Sequence, residues 1–146
     1  MSESSFVYVT FIRTTPERLW QALTSAEFTR QYWFGTHQET DWQAGSAWRL
    51  VFPDGRIADA GELVEVEPGK RLVIKWQNEF MAEMKAEGYS RCTMEIEPLE
   101  GAVKLTITHV MEMAESKFIG AVSRGWPRIL SNLKSLLETG EVAIKG

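Results

Sequence analysis

The sequence predicts an α+β fold: a curved antiparallel sheet of about seven strands wrapped around a long C-terminal helix, with two short helices after the first strand. Three features predict it. The chain opens on a β-branched and aromatic run, FVYVTFI. Its middle alternates apolar and polar residues between regularly placed turn signals, and its end carries apolar residues at helical spacing from Phe118 to Leu137.

Each element follows from local chemistry. Residues 6–12 read as a strand because branched and aromatic side chains suit a pleated, half-buried surface. Thr15 then offers a cap, and Pro16 suits the first helical position, where its missing N–H would be unpaired anyway. Leu19, Trp20 and Leu23 share a face, which predicts a helix over 16–24. Thr24 and Glu27 stand at capping-box spacing, so a second helix is expected over 26–32, forming a V with the first.

From Gln38 to Val110 turn signals recur at Ala44-Gly45, Pro53-Asp54-Gly55, Pro68-Gly69 and Glu100-Gly101, the pattern of a meander. Alternation gives each strand a dry face: Trp48, Leu50 and Phe52; Leu72, Ile74 and Trp76; Cys92, Met94 and Ile96; Val103, Leu105, Ile107 and His109. Over 57–67, Val64 and Val66 alternate with acids. Phe118, Ile119, Val122, Trp126, Ile129, Leu130, Leu133, Leu136 and Leu137 then form a broad helical stripe that needs a sheet to cover it, with Gly140 as the stop. Pro127 removes one backbone bond and crowds the Ser123 carbonyl, so a kink or break is expected near Trp126.

A chain of 146 residues with 44% hydrophobic and 25% charged residues suits one globular domain spanning 1–146. The net charge of -4, without a basic cluster, argues against nucleic acid as a partner. The start, MSESSFVYVTF, lacks a basic flank before an apolar run, and no stretch is long and apolar enough to span a bilayer, so a cytoplasmic location without membrane attachment is expected. The lone Cys92 fits a reducing compartment and reads as a small core residue.

Several groups of residues carry a resemblance. Thr15-Pro16-Glu17-Arg18-Leu19-Trp20-Gln21-Ala22-Leu23-Thr24 resembles the P-x-x-V/L-W-x-A-L-T signature that opens the SRPBCC (START-like) proteins of the activator of heat-shock-protein-90 ATPase homologue family. Gly61-Glu62-Leu63-Val64-Glu65-Val66, Arg71-Leu72-Val73-Ile74-Lys75-Trp76 and Gly125-Trp126-Pro127 with the leucines beyond it add to the likeness, which spans nearly the whole chain. Gly45 is followed by Ser46 where the family often has a second glycine. The resemblance implies the helix-grip fold and an apolar cavity between sheet and long helix, which different members use for lipids, sterols, polyketides or plant hormones. It implies fold more strongly than co-chaperone function, because the Asn- and Trp-rich motif of the family's eukaryotic namesake, carried on a separate N-terminal domain, has no counterpart in these residues.

The candidate ligand-binding residues are set against that cavity. Trp33, Trp42, Trp48, Trp76 and Trp126 lie near the expected concave face or its mouth, as stiff walls with a polar handle or simply as core filling. Leu50, Met94, Phe118 and Val122 join them from the inward series of strand and helix. His109 continues the inward face of its strand, either as a polar group at one end of the cavity or as a histidine bonded to a neighbouring element. Phe80 and Met81, with Met84, stand in the long segment 78–88, which reads either as a lid or as apolar residues packed on the first helices or on a second subunit. Arg49, Asp59 and Glu62 could be drawn into a pocket with shifted pKa values, but alternation places Arg49 and Glu62 on the wet face, and the default role of all three is solvated surface.

His37 reads as a loop residue, and the pair of histidines makes no metal motif; no cofactor is expected. No nucleophile elbow or phosphate-cradling glycine loop occurs. The favoured reading is a binding module for a small hydrophobic or amphipathic molecule. Two rivals stand beside it: a cyclase- or aromatase-like enzyme with His109 as acid and base, and a protein-interaction module like the co-chaperone, with a homodimer compatible with either.

Overall fold

In the computed structural model, which describes residues 2–145, the chain runs β1 (Ser4–Ile12), α1 (Pro16–Thr24), α2 (Ala26–Tyr32), β2 (His37–Glu39), β3 (Ala47–Val51), β4 (Ile57–Glu67), β5 (Arg71–Asn78), α3 (Ala82–Lys85), β6 (Ser90–Leu99), β7 (Ala102–Met111) and α4 (Lys117–Thr139). The seven strands form one sheet in the order β1-β7-β6-β5-β4-β3-β2, and each neighbouring pair is antiparallel. This is the helix-grip arrangement: the concave face carries the core, and α4 packs on it chiefly along β1, β7 and α2.

The helix ends show how far local chemistry reaches. Thr15 caps α1, its Oγ1 accepting from Arg18 N–H at 3.1 Å. The capping box expected at α2 does not form. Ser25 is the cap residue and makes no side-chain bond, because the Thr24 hydroxyl donates back to the Trp20 carbonyl at 2.8 Å. At the far end, Gly140 adopts φ 89° and returns its N–H to the Leu136 carbonyl at 2.9 Å, a left-handed stop that favours glycine.

Of the kink or break expected at Pro127, the break does not occur: α4 is helical from Lys117 to Thr139 with Pro127 inside it. Burial on both sides holds the rod, through Trp126 before the proline and Leu130, Leu133 and Leu136 after it. Asn132 adds a polar anchor, with Nδ2 donating to the Ile144 carbonyl at 2.9 Å and Oδ1 accepting Ile144 N–H at 2.6 Å.

β4 departs from simple alternation, and this matters for the site. Leu63 pairs with Ile74 but Glu65 pairs with Val73, so a bulge at Val64 shifts the register. Below the bulge the inward residues are Leu63, Gly61 and Asp59; above it the inward residue is Val66, opposite Leu72. Gly61 lies between Trp48 and Trp76, whose ring centroids are 4.5 Å apart. A Cβ there would stand 1.7 Å from the Lys75 carbonyl oxygen, so only glycine permits the close approach of β4 and β5.

Candidate functional site

An aromatic cleft opens between the first half of α4 and the β3–β5 end of the sheet. It has adjoining lobes of about 190 and about 470 Å3, which share Trp33, Leu50, Asp59, Phe80, Gly125 and Ile129. Trp33 closes the floor, its ring 6.0 Å from that of Trp76 and 5.4 Å from that of Trp126. Phe52 and Phe80 meet edge to face at 5.1 Å beside the larger lobe. On α4, Gly125 faces both lobes, and a Cβ at that position would meet nothing within 4 Å. A glycine inside a helix costs about 1 kcal/mol relative to alanine. No backbone crowding requires it here; its effect is to leave the cleft open.

The structure divides the sequence-predicted set. Trp33, Leu50, Trp76, Phe80, Phe118, Val122 and Trp126 line the cleft. Trp48 and Met94 lie behind it in the core, and Trp48 Nε1 donates to Gln38 Oε1 at 3.0 Å. Trp42 packs at the edge of the core with a left-handed φ of 56°, away from the lobes. Met81 points outward, while Met84, one turn on, reaches the smaller lobe. The segment 78–88 thus supplies a wall through Phe80 and Met84. It is fastened to α4 by Glu87, whose carboxylate accepts from the Ser116 hydroxyl at 2.6 Å and from Lys117 N–H at 2.8 Å.

His109 is not a cleft residue. Its side chain is 0% exposed, stacked edge to face on Phe118 at 5.2 Å, and both ring nitrogens are engaged. Trp126 Nε1 can only donate, and it does so to His109 Nδ1 at 3.2 Å. The proton of the neutral ring therefore sits on Nε2 and is given to Ser90 Oγ at 2.8 Å, whose own hydroxyl donates to the Trp76 carbonyl at 3.0 Å. Burial pushes the His109 pKa down to about 3, so the ring is neutral at any ordinary pH. The acid–base role that a cavity histidine would have is not available to it.

The polar group that does face the cleft is Asp59. It is 7% exposed, opposite Leu50 on one side and Asn78 on the other, and borders both lobes. Asn78 Nδ2 donates to its Oδ1 at a long 3.3 Å. Burial raises its pKa to about 7, against the opposing pull of the Trp76 N–H and the Asn78 amide, with the nearby Glu79 adding to the rise. The Trp76 N–H acts on the carboxylate without closing a full hydrogen bond and is otherwise a buried donor without a partner. Of the two readings of Asp59, the default surface role gives way to the inward carboxylate with a shifted pKa. Counting inward positions from Leu63 rather than from Val64 would have found it.

Arg49 and Glu62 keep their expected places, and His37 does not. Arg49 and Glu62 are exposed, with Arg49 paired to Glu39 at 2.7 Å. His37 belongs to the short strand β2, not a loop, and sits 3.0 Å from Glu39. Cys92 is buried, which pushes its thiol pKa far up and leaves it an inert core residue. Among the described residues no cluster of His, Cys, Asp and Glu could hold a metal ion, and no helix is long and apolar enough to cross a membrane.

Known proteins place this architecture. Over 91–95% of its length the chain superposes on solved structures that are themselves 95–100% covered. A protein from Mesorhizobium loti matches with a TM-score of 0.80 at 20% identity, covering 95% of this chain and 100% of that one. The Aha1 dimer from Colwellia psychrerythraea matches at 0.75 and 18%, covering 94% and 98%. An HSP90 activator from Plasmodium falciparum matches at 0.74 and 26%, covering 91% and 95%. No curated protein matches the sequence. The family model described as activator of Hsp90 ATPase homolog 1-like protein matches residues 13–138. With that match over most of its length, and with the fold the motifs predict, the chain belongs to the activator of Hsp90 ATPase homologue family.

Proposed function

We propose that this protein binds a small apolar or amphipathic molecule in the cleft between β3–β5 and α4. One observation carries the reading: the cleft is walled by aromatic rings, kept open by Gly125 and furnished with a single buried carboxylate, the make-up of a ligand pocket and not of a close-packed core. Any acid–base chemistry in the same cleft would fall to Asp59, since His109 is sealed away.

The test uses native mass spectrometry of freshly purified protein, followed by thermal shift across a panel of lipophiles, on the wild type and Gly125→Leu. The reading expects a retained ligand or a shift of several degrees in the wild type that Gly125→Leu loses. A clean mass and a flat panel would count against it.

A second reading has its own support. Val7, Val9 and Phe11 project from strand β1 at 56%, 44% and 52% exposure, an apolar stripe on the outer face of the sheet. The relatives named as a dimer and as an HSP90 activator are compatible with protein contact there. Sedimentation of the wild type and Phe11→Lys tests the homodimer: a dimer lost in the variant supports it, and a monomer at high concentration argues against it.

A further inference from the structure

We propose that the cleft takes an amphipathic amine, its ammonium group held against the Asp59 carboxylate beside the Trp33 and Trp76 rings and its apolar part lying along α4. This rests on the ligand-binding reading above and adds the chemistry of the ligand's head.

The groups around Asp59 are arranged for an anion. Asn78 Nδ2 and the Trp76 N–H both present hydrogens to it. Asn78 Oδ1 accepts Met81 N–H at 2.9 Å, which orients the amide with its Nδ2 hydrogens toward Asp59. The neighbouring donors thus favour the charged carboxylate while burial disfavours it; they leave it with one long hydrogen bond, and among the described residues no ion pair reaches it. A buried carboxylate without a counter-charge is costly, and a positive partner relieves that cost. The walls bring the aromatic rings of Trp33, Trp76 and Phe80 to the same space, where a ring face turned to a cation attracts it.

The charged groups near Asp59 on the packed elements act in opposite senses, Glu79 favouring a cation and Arg128, on the larger lobe, opposing one there. Glu79, just beyond β5, adds negative potential. Arg128 of α4 borders the larger lobe, its guanidinium 5.7 Å from the centre of the Phe34 ring. A carboxylate head would meet repulsion from Asp59, and a hydroxyl head would add one hydrogen bond without neutralising the charge. An ammonium does both.

The experiment compares decylammonium, decanol and decanoate by quenching of tryptophan fluorescence at pH 8, with the wild type, Asp59→Asn and Gly125→Leu. Decylammonium should bind at least about tenfold more tightly than decanol, a preference that falls to within about twofold in Asp59→Asn. Because binding the cation requires the ionised carboxylate, its affinity for the wild type should also rise about tenfold from pH 6 to pH 8 while that of decanol stays level. Equal or tighter binding of decanol or decanoate, a preference that survives Asp59→Asn, or a flat pH profile would overturn the amine. If Gly125→Leu still abolishes the binding in those cases, the cleft reading stands without it. Binding of none of the probes overturns both.

Discussion

Two titratable groups are buried on either side of Trp76, and they have opposite fates. His109 lies behind the tryptophan in a closed aromatic box, where donors and acceptors match in series from Trp126 through Ser90 to the Trp76 carbonyl. Asp59 lies in front of it, bordering open space, with one long hydrogen bond and a donor that does not fully engage. Both are enclosed by similar rings. Completed hydrogen bonding makes the first a structural element, and incomplete bonding beside a cavity makes the second a site.

The most direct way to break this contrast is to remove each group in turn. His109→Ala deletes a fully packed ring and orphans the Trp126 N–H, so it should destabilise the fold by roughly 3–5 kcal/mol. Urea denaturation measures this, and a loss below about 1 kcal/mol would mean that the network is dispensable. Asp59→Asn should do the reverse. Its raised pKa means that the cost of burying the charge is absent below the unfolded value of 3.8 and fully present above about 7. The variant should therefore gain about 2–4 kcal/mol at pH 8 and little at pH 4, while losing the proposed ligand.

The same pair opposes itself in acid. For His109 the folded pKa of about 3 lies below the unfolded 6.5, so its contribution is intact above pH 6.5 and is lost as pH falls toward 3. Asp59 slopes the other way between pH 4 and pH 6.5, so the two largely cancel in the wild type. In Asp59→Asn the histidine slope should emerge, at up to about 1.4 kcal/mol per pH unit. A profile as flat as the wild type's would show that His109 titrates normally. The smallest effect is expected at Gly125→Leu, which should raise stability by about 0.5–1 kcal/mol through helix propensity while blocking the cleft. A destabilised variant would mean that the space beside Gly125 is not free.

The sequence made the scaffold legible where a single period runs unbroken. Leu72, Ile74 and Trp76 of β5, and Val103 to His109 of β7, all face inward as alternation requires. Capping and stop signals placed α1 at Thr15 and the end of α4 at Gly140 for the same reason: each depends on bonds within one turn. The site was less legible because its key residue sits behind a bulge. Taking the phase of β4 from Val64 and Val66 turns Asp59 outward, whereas the extra residue at Val64 restores it to the inner face. Inward direction alone also could not separate Trp76, which reaches the cleft, from Trp48, which lies against it in the core. Pro127 is the matching case in the helix, where packing on both sides outweighs a local breaker.

The claim at the centre of this account is that Asp59 is a buried, under-partnered carboxylate at the wall of a cleft. Following its side-chain carboxyl carbon by NMR from pH 3 to pH 9, in protein freed of ligand, tests this most directly. A midpoint near 7 that moves down when decylammonium is added is the result the account predicts. A midpoint near 4, indifferent to the amine, would contradict it.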